Sequence, residues 1–116
     1  MDDLNYKETI IIKAGKKYSF IKTDKIKWIE SDSGYLKIYV EDKYYVVAMT
    51  LQNIEKKLDP YNFKRISRSK IINVLKIKEM TDSEDSNEFT VILSDSTILK
   101  WARRYRSNFP KLLLLK

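Results

Sequence analysis

The sequence has no cysteine and no histidine, and its 116 residues include only two glycines and two prolines. Without cysteine there is neither a disulfide nor a thiolate metal site, so a reducing compartment, the cytoplasm, is expected. The missing histidines also exclude the common nucleophile and base pairs and most transition-metal ligand sets. Gly15 and Gly34 lie too far apart to form a glycine-rich phosphate loop. We therefore predict a protein that is not an enzyme and that needs no metal and no cofactor.

Carboxylates are the remaining groups that could support catalysis or bind a hard cation. The acidic run at residues 82–88, DSEDSNE, lacks the glycine and the spaced glutamate of an EF-hand loop, so it is predicted to be a solvated hairpin turn. A hydrolase that relies on carboxylates is the weakest of the alternatives.

Long hydrophobic runs are also missing. The C-terminal leucines, Leu112 to Leu115, fall far short of the ~20 apolar residues that span a bilayer. The acidic start lacks the basic flank of a signal peptide, so no membrane contact is expected.

With 43% hydrophobic residues, the chain can build one core but not two independent ones. We expect a single domain over residues 1–116, with its folded core at about 8–110.

Short segments rich in β-branched and aromatic residues alternate with turn signals and predict about nine strands. In KIKWIE, the alternation predicts that Ile26 and Trp28 share one face. A helix of about two turns is predicted where Thr50 can cap Leu51, Ile54 and Leu58, and a further helical turn at residues 102–109. The fold class is therefore mainly β, with antiparallel strands in small packed sheets and one or two short helices.

Positive charge is in excess and unevenly distributed. Residues 1–58 hold 11 lysines against 9 acids, whereas residues 59–116 hold 12 lysines and arginines against 7 acids. All five arginines fall in two clusters, RISR at residues 65–68 and RRYR at residues 103–106. Because the planar guanidinium binds phosphate and guanine in a bidentate way, this distribution favours a polyanionic partner.

The segment FKRISRSKIIN, residues 63–73, contains the first cluster and leaves two interpretations open. Charged residues can protect an edge strand from aggregation, a purpose for which lysine suffices. Arginines beside serine hydroxyls are more typical of a surface that contacts nucleic acid. Composition alone does not decide between the two.

Three segments, in order and spacing, resemble the LytTR family of DNA-binding domains found in bacterial transcription regulators. They are KIKWIESDSGYLKIYV, TLQNIEKKLDPYNFKRISRSKIINVLKIKEM and FTVILSDSTILKWARRY. The family pattern "F-x-R-x-x-R-S-x-I-I-N" is met from Phe63 to Asn73, and the first and third segments are collinear with it. The resemblance covers roughly residues 8 to 110 and implies the same β-rich fold.

The resemblance also implies a mode of binding, in which loops rather than a recognition helix enter successive major grooves of double-stranded DNA. Carried over by position, the residues that read bases would be Tyr35, Arg68 and Arg103. The residues that contact phosphates would be Arg65, Ser69, Lys70, Lys100 and Arg104. Asn73 is expected to cap a strand end and Trp28 to lie in the core, whereas Trp101 is left open between core and base stacking.

The resemblance further implies a sequence-specific transcription regulator that binds promoter repeats as two protomers. Many relatives carry a receiver domain ahead of this one, so the chain is either a stand-alone protein or one domain of a longer protein. Ser67 replaces the usual histidine and Ala102 the usual serine, which puts affinity and sequence preference in question. The alternative function is a small basic β-domain that binds a protein or an anionic ligand.

Overall fold

The computed structural model describes residues 8–83, 85, 87–110 and 114–115. Within these residues the chain forms ten strands, one α-helix and three 3₁₀ turns. The strands are β1 (Thr9–Ala14), β2 (Lys17–Lys22), β3 (Ile26–Asp32), β4 (Tyr35–Val40), β5 (Lys43–Val47), β6 (Phe63–Ser67), β7 (Lys70–Asn73), β8 (Ile77–Asp82), β9 (Phe89–Leu93) and β10 (Ile98–Trp101). The helix is α1 (Leu51–Glu55), and the 3₁₀ turns are Thr23–Lys25, Val74–Lys76 and Arg103–Asn108.

The strands form three antiparallel sheets. The central sheet has five strands in the order β5-β4-β3-β7-β6, and the other two are a three-stranded sheet, β10-β9-β8, and the β1–β2 hairpin. The mainly β fold class with short helices is therefore confirmed. In the part of the chain that the structure describes, no helix is long and apolar enough to cross a membrane.

The central sheet is buried on both faces because alternate residues of its strands enter two different cores. Ile29 and Ile71 lie in the first core, which the β1–β2 hairpin and α1 cover. Ile66 and Ile72 lie in the second core, which the three-stranded sheet covers with Trp101. Period-2 alternation thus buries both sets of side chains, as in a layered β protein.

One prediction about strand β3 is wrong. Ile26 packs with Ile29 in the first core, whereas Trp28 lies in the second core and stacks on Tyr39 with ring centroids 4.1 Å apart. The pairing of β3 with β4 shifts between Ile26 and Trp28, so Lys27 is the extra residue of a β-bulge. A bulge reverses the alternation, which a simple two-residue period does not anticipate.

The sequence count of nine strands missed β6. The segment Phe63–Ser67 joins β7 through a two-residue turn, Arg68-Ser69, that contains none of the glycine, proline, asparagine or aspartate residues that normally mark turns. The predicted helix is present but shorter, with the Thr50 hydroxyl accepting a hydrogen bond from the Asn53 amide at 3.1 Å. The predicted C-terminal helical turn is confirmed as 3₁₀.

Two predictions fall partly outside the described residues. The acidic run at residues 82–88 connects β8 to β9, but residues 84 and 86 are not described. Residues 111–113 are not described either, whereas Leu114 and Leu115 are described and are 56% and 93% exposed.

Candidate nucleic-acid interface

Two hairpin turns project from the same end of the central sheet. The β3–β4 turn, Ser33-Gly34, has positive φ angles of 54° and 87°, as the commonest two-residue hairpin turns require. The β6–β7 turn is Arg68-Ser69, closed by the pair Ser67 and Lys70. Because Glu30 of β3 pairs with Lys70 of β7, and the Ser31 amide donates to the Ser69 carbonyl at 2.8 Å, the two turns lie side by side.

The 3₁₀ turn Arg103–Asn108 joins them at this end. The Ala102 amide donates a hydrogen bond to the Ile66 carbonyl at 2.8 Å, which fixes the end of β10 beside β6. The Asn108 side chain donates from Nδ2 to the Arg65 carbonyl at 2.9 Å. Three segments that are far apart in sequence therefore form one surface, called the loop end below: residues 32–35, 67–70 and 102–104.

The three residues predicted to read bases all lie at the loop end and are exposed. Tyr35 opens strand β4 and is 53% exposed. Arg68 occupies the tip of the β6–β7 turn and Arg103 the start of the 3₁₀ turn. Among the residues that the structure describes, neither arginine side chain has an ion pair or a hydrogen bond. Both guanidinium groups are therefore available to an external ligand.

The residues predicted to contact phosphates are engaged to different extents. Ser69 is held through its backbone, since its amide donates to the Ser67 hydroxyl at 3.2 Å. Lys70 pairs with Glu30 at 3.6 Å, and Lys100 donates to the Thr90 hydroxyl at 2.9 Å. Arg104 is exposed and has no partner among the described residues. Single contacts of this kind near the protein surface contribute little energy, so a phosphate can replace them readily.

Arg65 differs because its guanidinium is already bound within the protein. Its Nη1 lies 3.1 Å from Glu55 Oε1, and its Nη2 donates to the Arg68 carbonyl at 2.9 Å. The side chain is only 24% exposed, and its Nε is buried without a hydrogen-bond partner. The phosphate contact predicted for Arg65 stays a prediction. In the structure, the guanidinium makes these two internal contacts.

Arg106, the last residue of the second cluster, is also engaged internally. Its guanidinium lies 4.0 Å from the ring centroid of Phe89 and donates to Asp82 Oδ1 at 3.1 Å. Arg106 thus makes both a cation–π contact and an ion pair with the three-stranded sheet. Together these contacts join the 3₁₀ turn to that sheet. The unpaired arginine charge of the described residues is thus concentrated in Arg68, Arg103 and Arg104 at the loop end.

The two departures from the family pattern have local consequences. The Ser67 hydroxyl accepts the hydrogen bond from the Ser69 amide, so this short side chain shapes the turn that presents Arg68. Ala102 is the N-cap residue of the 3₁₀ turn, with φ −66° and ψ 146°, and it makes no side-chain cap. The turn that carries Arg103 therefore lacks the capping hydrogen bond that serine could provide.

Three other residues considered in the sequence have structural roles. Asn73 is fully buried, where its Nδ2 donates to the Ile26 carbonyl and its Oδ1 accepts from the Leu75 amide, so the predicted cap is confirmed. Trp28 lies in the core as predicted. Trp101, left open between core and base stacking, is fully buried, and its Nε1 donates to the Tyr105 carbonyl at 2.8 Å.

Sequence reasoning missed Glu55 and Asn108, whose contacts hold the loop end together. Glu55 pairs with a residue 10 positions away, and Asn108 with one 43 positions away. Neither position belongs to a local motif. An acid at a helix end and an asparagine in a turn are both common on protein surfaces, so neither residue stands out in the sequence. No signal in the sequence alone could have selected them.

The chain is similar to several known proteins. The profile of the family described as the LytTr DNA-binding domain matches residues 16–114. The sequence is 29% identical over 104 residues to the sensory transduction protein LytT of Bacillus subtilis strain 168, covering 90% of this chain and 43% of that protein. It is 28% identical over 105 residues to the transcriptional regulatory protein LytR of Staphylococcus aureus strain N315, covering 90% and 42%.

Among solved structures, a LytTr DNA-binding domain from Bacillus cereus superposes with a TM-score of 0.80 at 24% sequence identity. The match covers 94% of this chain and 99% of the solved chain. This likeness establishes the fold. The chain spans less than half the length of the curated relatives it matches. Because the family profile covers most of the chain, and because the ten strands repeat the fold of a solved member, this chain belongs to the LytTR family of DNA-binding domains, which are not enzymes.

Proposed function

We propose that the chain binds double-stranded DNA sequence-specifically, within a bacterial transcription regulator, by inserting the loop end into the major groove. The observation that carries this proposal is the convergence of three turns that present Arg68, Arg103 and Arg104 without internal partners. Unpaired guanidinium groups on one surface attract the phosphate backbone and can read guanine edges.

The spacing of the hairpin tips suits a groove. In the strand order β4-β3-β7-β6, the centres of the β3–β4 and β6–β7 turns are separated by two strand spacings, roughly 10 Å. The major groove is about 12 Å wide. Tyr35 and Arg68 can therefore reach the same stretch of DNA, while Arg103 reaches bases beside it.

The roles follow from the contacts. Tyr35, Arg68 and Arg103 reach base edges, while Ser69, Lys70, Lys100 and Arg104 fix the register on phosphates. Phosphate contacts position a protein, and base contacts give specificity. No recognition helix is required, since α1 has its apolar residues Leu51 and Ile54 buried in the first core.

The biological setting is proposed from the relatives. LytT and LytR are named as a sensory transduction protein and a transcriptional regulatory protein, and each is more than twice as long as the matched region. We propose that residues 8–110 act as the DNA-binding domain in the cytoplasm. A receiver domain elsewhere in the protein would control it, and two protomers would bind promoter repeats.

Selection of bound duplexes from a random DNA pool tests the function. The selected sequence should bind at least about 10³-fold more tightly than a random duplex, the lower end for specific DNA-binding proteins. Measuring the affinity for both duplexes at several salt concentrations separates the electrostatic contribution to binding from the sequence-specific one. A steep salt dependence without sequence preference, or no binding at low salt, would favour the alternative of a basic domain that binds a protein or another anion.

A further inference from the structure

The contacts of Arg65 join a helix to the turn that presents Arg68. Glu55, which pairs with Arg65 Nη1, is the last residue of α1. This helix is fixed by the burial of Leu51 and Ile54 in the first core, 5% and 3% exposed. The contact at 3.1 Å is a charge-assisted hydrogen bond, so it restricts the orientation of the guanidinium relative to the backbone of this helix.

The other end of the guanidinium holds the backbone of the turn. Arg65 Nη2 donates to the carbonyl of Arg68 itself, at 2.9 Å. The local hydrogen bond from the Ser69 amide to the Ser67 hydroxyl shapes the same turn, and the Arg65 contact adds a link from outside it. The ion pair on one side and the carbonyl on the other therefore connect α1 to the tip of the β6–β7 turn.

Arg65 is also linked to the second arginine-bearing segment through its backbone. Its carbonyl accepts from the Asn108 side chain at 2.9 Å, and the next carbonyl, of Ile66, accepts from the Ala102 amide at 2.8 Å. Arg65 thus contacts both the turn that carries Arg68 and the turn that carries Arg103, and Ile66 holds the start of the second one.

We propose that Arg65, held by Glu55, is a positioning residue that fixes Arg68 relative to Arg103 for base reading, rather than a phosphate contact. This inference rests on the proposed DNA-binding function. A binding group must be held within about 0.5 Å of its productive position to be effective, and preorganisation supplies affinity by reducing the ordering that binding requires. With two internal contacts and a buried Nε, the Arg65 guanidinium is less available to a phosphate than the Lys70 ammonium, which has a single contact at 3.6 Å.

Glu55→Ala gives a test in which the two roles predict opposite signs. If Arg65 contacts phosphate, removal of the competing carboxylate frees it and strengthens binding to every duplex. If Arg65 positions Arg68, affinity for the selected duplex falls by about tenfold, the effect of one charge-assisted hydrogen bond, relative to a random duplex. Glu79→Ala on the exposed edge strand β8 is the matched control, since it removes the same charge away from Arg65.

A double-substitution cycle sharpens the test. In the Arg68→Ala background, Glu55→Ala should leave the ratio of selected to random affinity unchanged, because the group that it positions is absent. Arg65→Gln should lower that ratio without changing the slope of log K against log salt. A phosphate contact would instead lower the slope by about one.

The outcomes separate this inference from the proposed function. If the wild-type chain prefers no sequence, the proposed function fails. If it prefers one but Glu55→Ala behaves like Glu79→Ala, only the positioning role is overturned. Should Arg65→Gln prevent folding, Glu55→Ala still decides the question, because residue 55 is exposed and alanine is a good helix former.

Discussion

The five arginines divide by their contacts rather than by their positions in the sequence. Arg65 and Arg106 pair with carboxylates at 3.1 Å each. The other three have no ion pair among the described residues and are exposed at the loop end. Because Arg65 and Arg106 each also donate to a backbone carbonyl, their guanidinium groups are oriented within the protein, and the two groups are expected to respond differently to substitution.

Arg68→Ala and Arg103→Ala should relax specificity. Each bidentate contact between an arginine and a guanine is worth about 1–3 kcal/mol of discrimination against other bases. The affinity for the selected duplex should therefore fall by roughly 5- to 150-fold, with a much smaller change for a random duplex. Fluorescence anisotropy titrations on both duplexes would measure the two effects.

Lys70→Ala should instead weaken binding to all sequences alike. A lysine that contacts phosphate contributes through counterion release, so its loss should lower the magnitude of the salt slope by about one. Lys16→Ala, in the exposed turn of the β1–β2 hairpin, is the control. If the Lys70, Arg68 and Arg103 variants all lose affinity uniformly, the division into base and phosphate contacts is wrong.

At the scale of elements, the 3₁₀ turn Arg103–Asn108 lacks a capping side chain. Ala102→Ser should raise the free energy of unfolding by about 0.5–1 kcal/mol, because its hydroxyl can accept from the Arg104 amide in the extended N-cap conformation. Thermal or urea unfolding would measure the gain. Ala48→Ser, at an exposed bend, is the control and should have little effect. Equal effects of the two substitutions would contradict a capping role.

A second element-scale contact joins the central sheet to the three-stranded sheet. Lys27 Nζ donates a hydrogen bond to Asp95 in the β9–β10 turn, and the Thr97 amide donates to the same carboxylate at 3.0 Å. The hydrogen bond from Lys27, and then those from Thr97, lower the pKa of Asp95 from the ordinary 3.8 to about 2. The charged carboxylate is therefore favoured in the folded state.

This contact predicts a defined dependence of stability on pH. Because the folded pKa is the lower one, the stabilisation is complete above the ordinary pKa and is lost as the pH falls from about 4 towards 2. Asp95→Asn should remove the part of the acid-induced loss of stability that protonation of Asp95 causes. Urea unfolding between about pH 4 and pH 2 would measure it. Asp24→Asn, in the 3₁₀ turn Thr23–Lys25, should keep it. If the two variants lose stability in parallel, the Lys27 contact does not contribute.

At the scale of the whole molecule, the two cores share the central sheet. Adjacent residues of β7, Ile71 and Ile72, enter the first and the second core respectively. Neither core can be lost while the strands between them stay paired and buried. A domain of this size usually unfolds in one cooperative transition, and the shared sheet gives the physical reason here.

Substitutions in either core should therefore lower the same transition. Trp101→Ala in the second core should cost about 3–5 kcal/mol, and Ile38→Ala in the first about 2–5 kcal/mol, through lost contacts and the cavity left behind. Urea unfolding followed by circular dichroism and by fluorescence should give coincident curves for Ile38→Ala. Two separate transitions would show that the cores fold independently.

Much of this architecture could be predicted from the sequence. Alternation of β-branched and aromatic residues located nine of the ten strands, and the Thr50 cap located α1. The pattern failed at Lys27, where a bulge changes the face of Trp28, and at Arg68-Ser69, where the turn contains none of the stronger turn signals glycine, proline, asparagine and aspartate. In both places hydrogen bonds from neighbouring strands decide the backbone.

The candidate site shows the same division. The resemblance of three collinear segments to the LytTR family selected Tyr35, Arg68 and Arg103 as predicted base contacts, and all five arginines lie in the second half of the chain. Only the tertiary structure brings the three turns to one end of the central sheet, because long-range pairs such as Ser31 with Ser69 and Ala102 with Ile66 determine their arrangement. The sequence by itself determined which side chains are predicted to contact DNA. Tertiary contacts decided which of them have internal partners, because Glu55 of α1 engages Arg65, whereas Arg68 lies exposed in the β6–β7 turn.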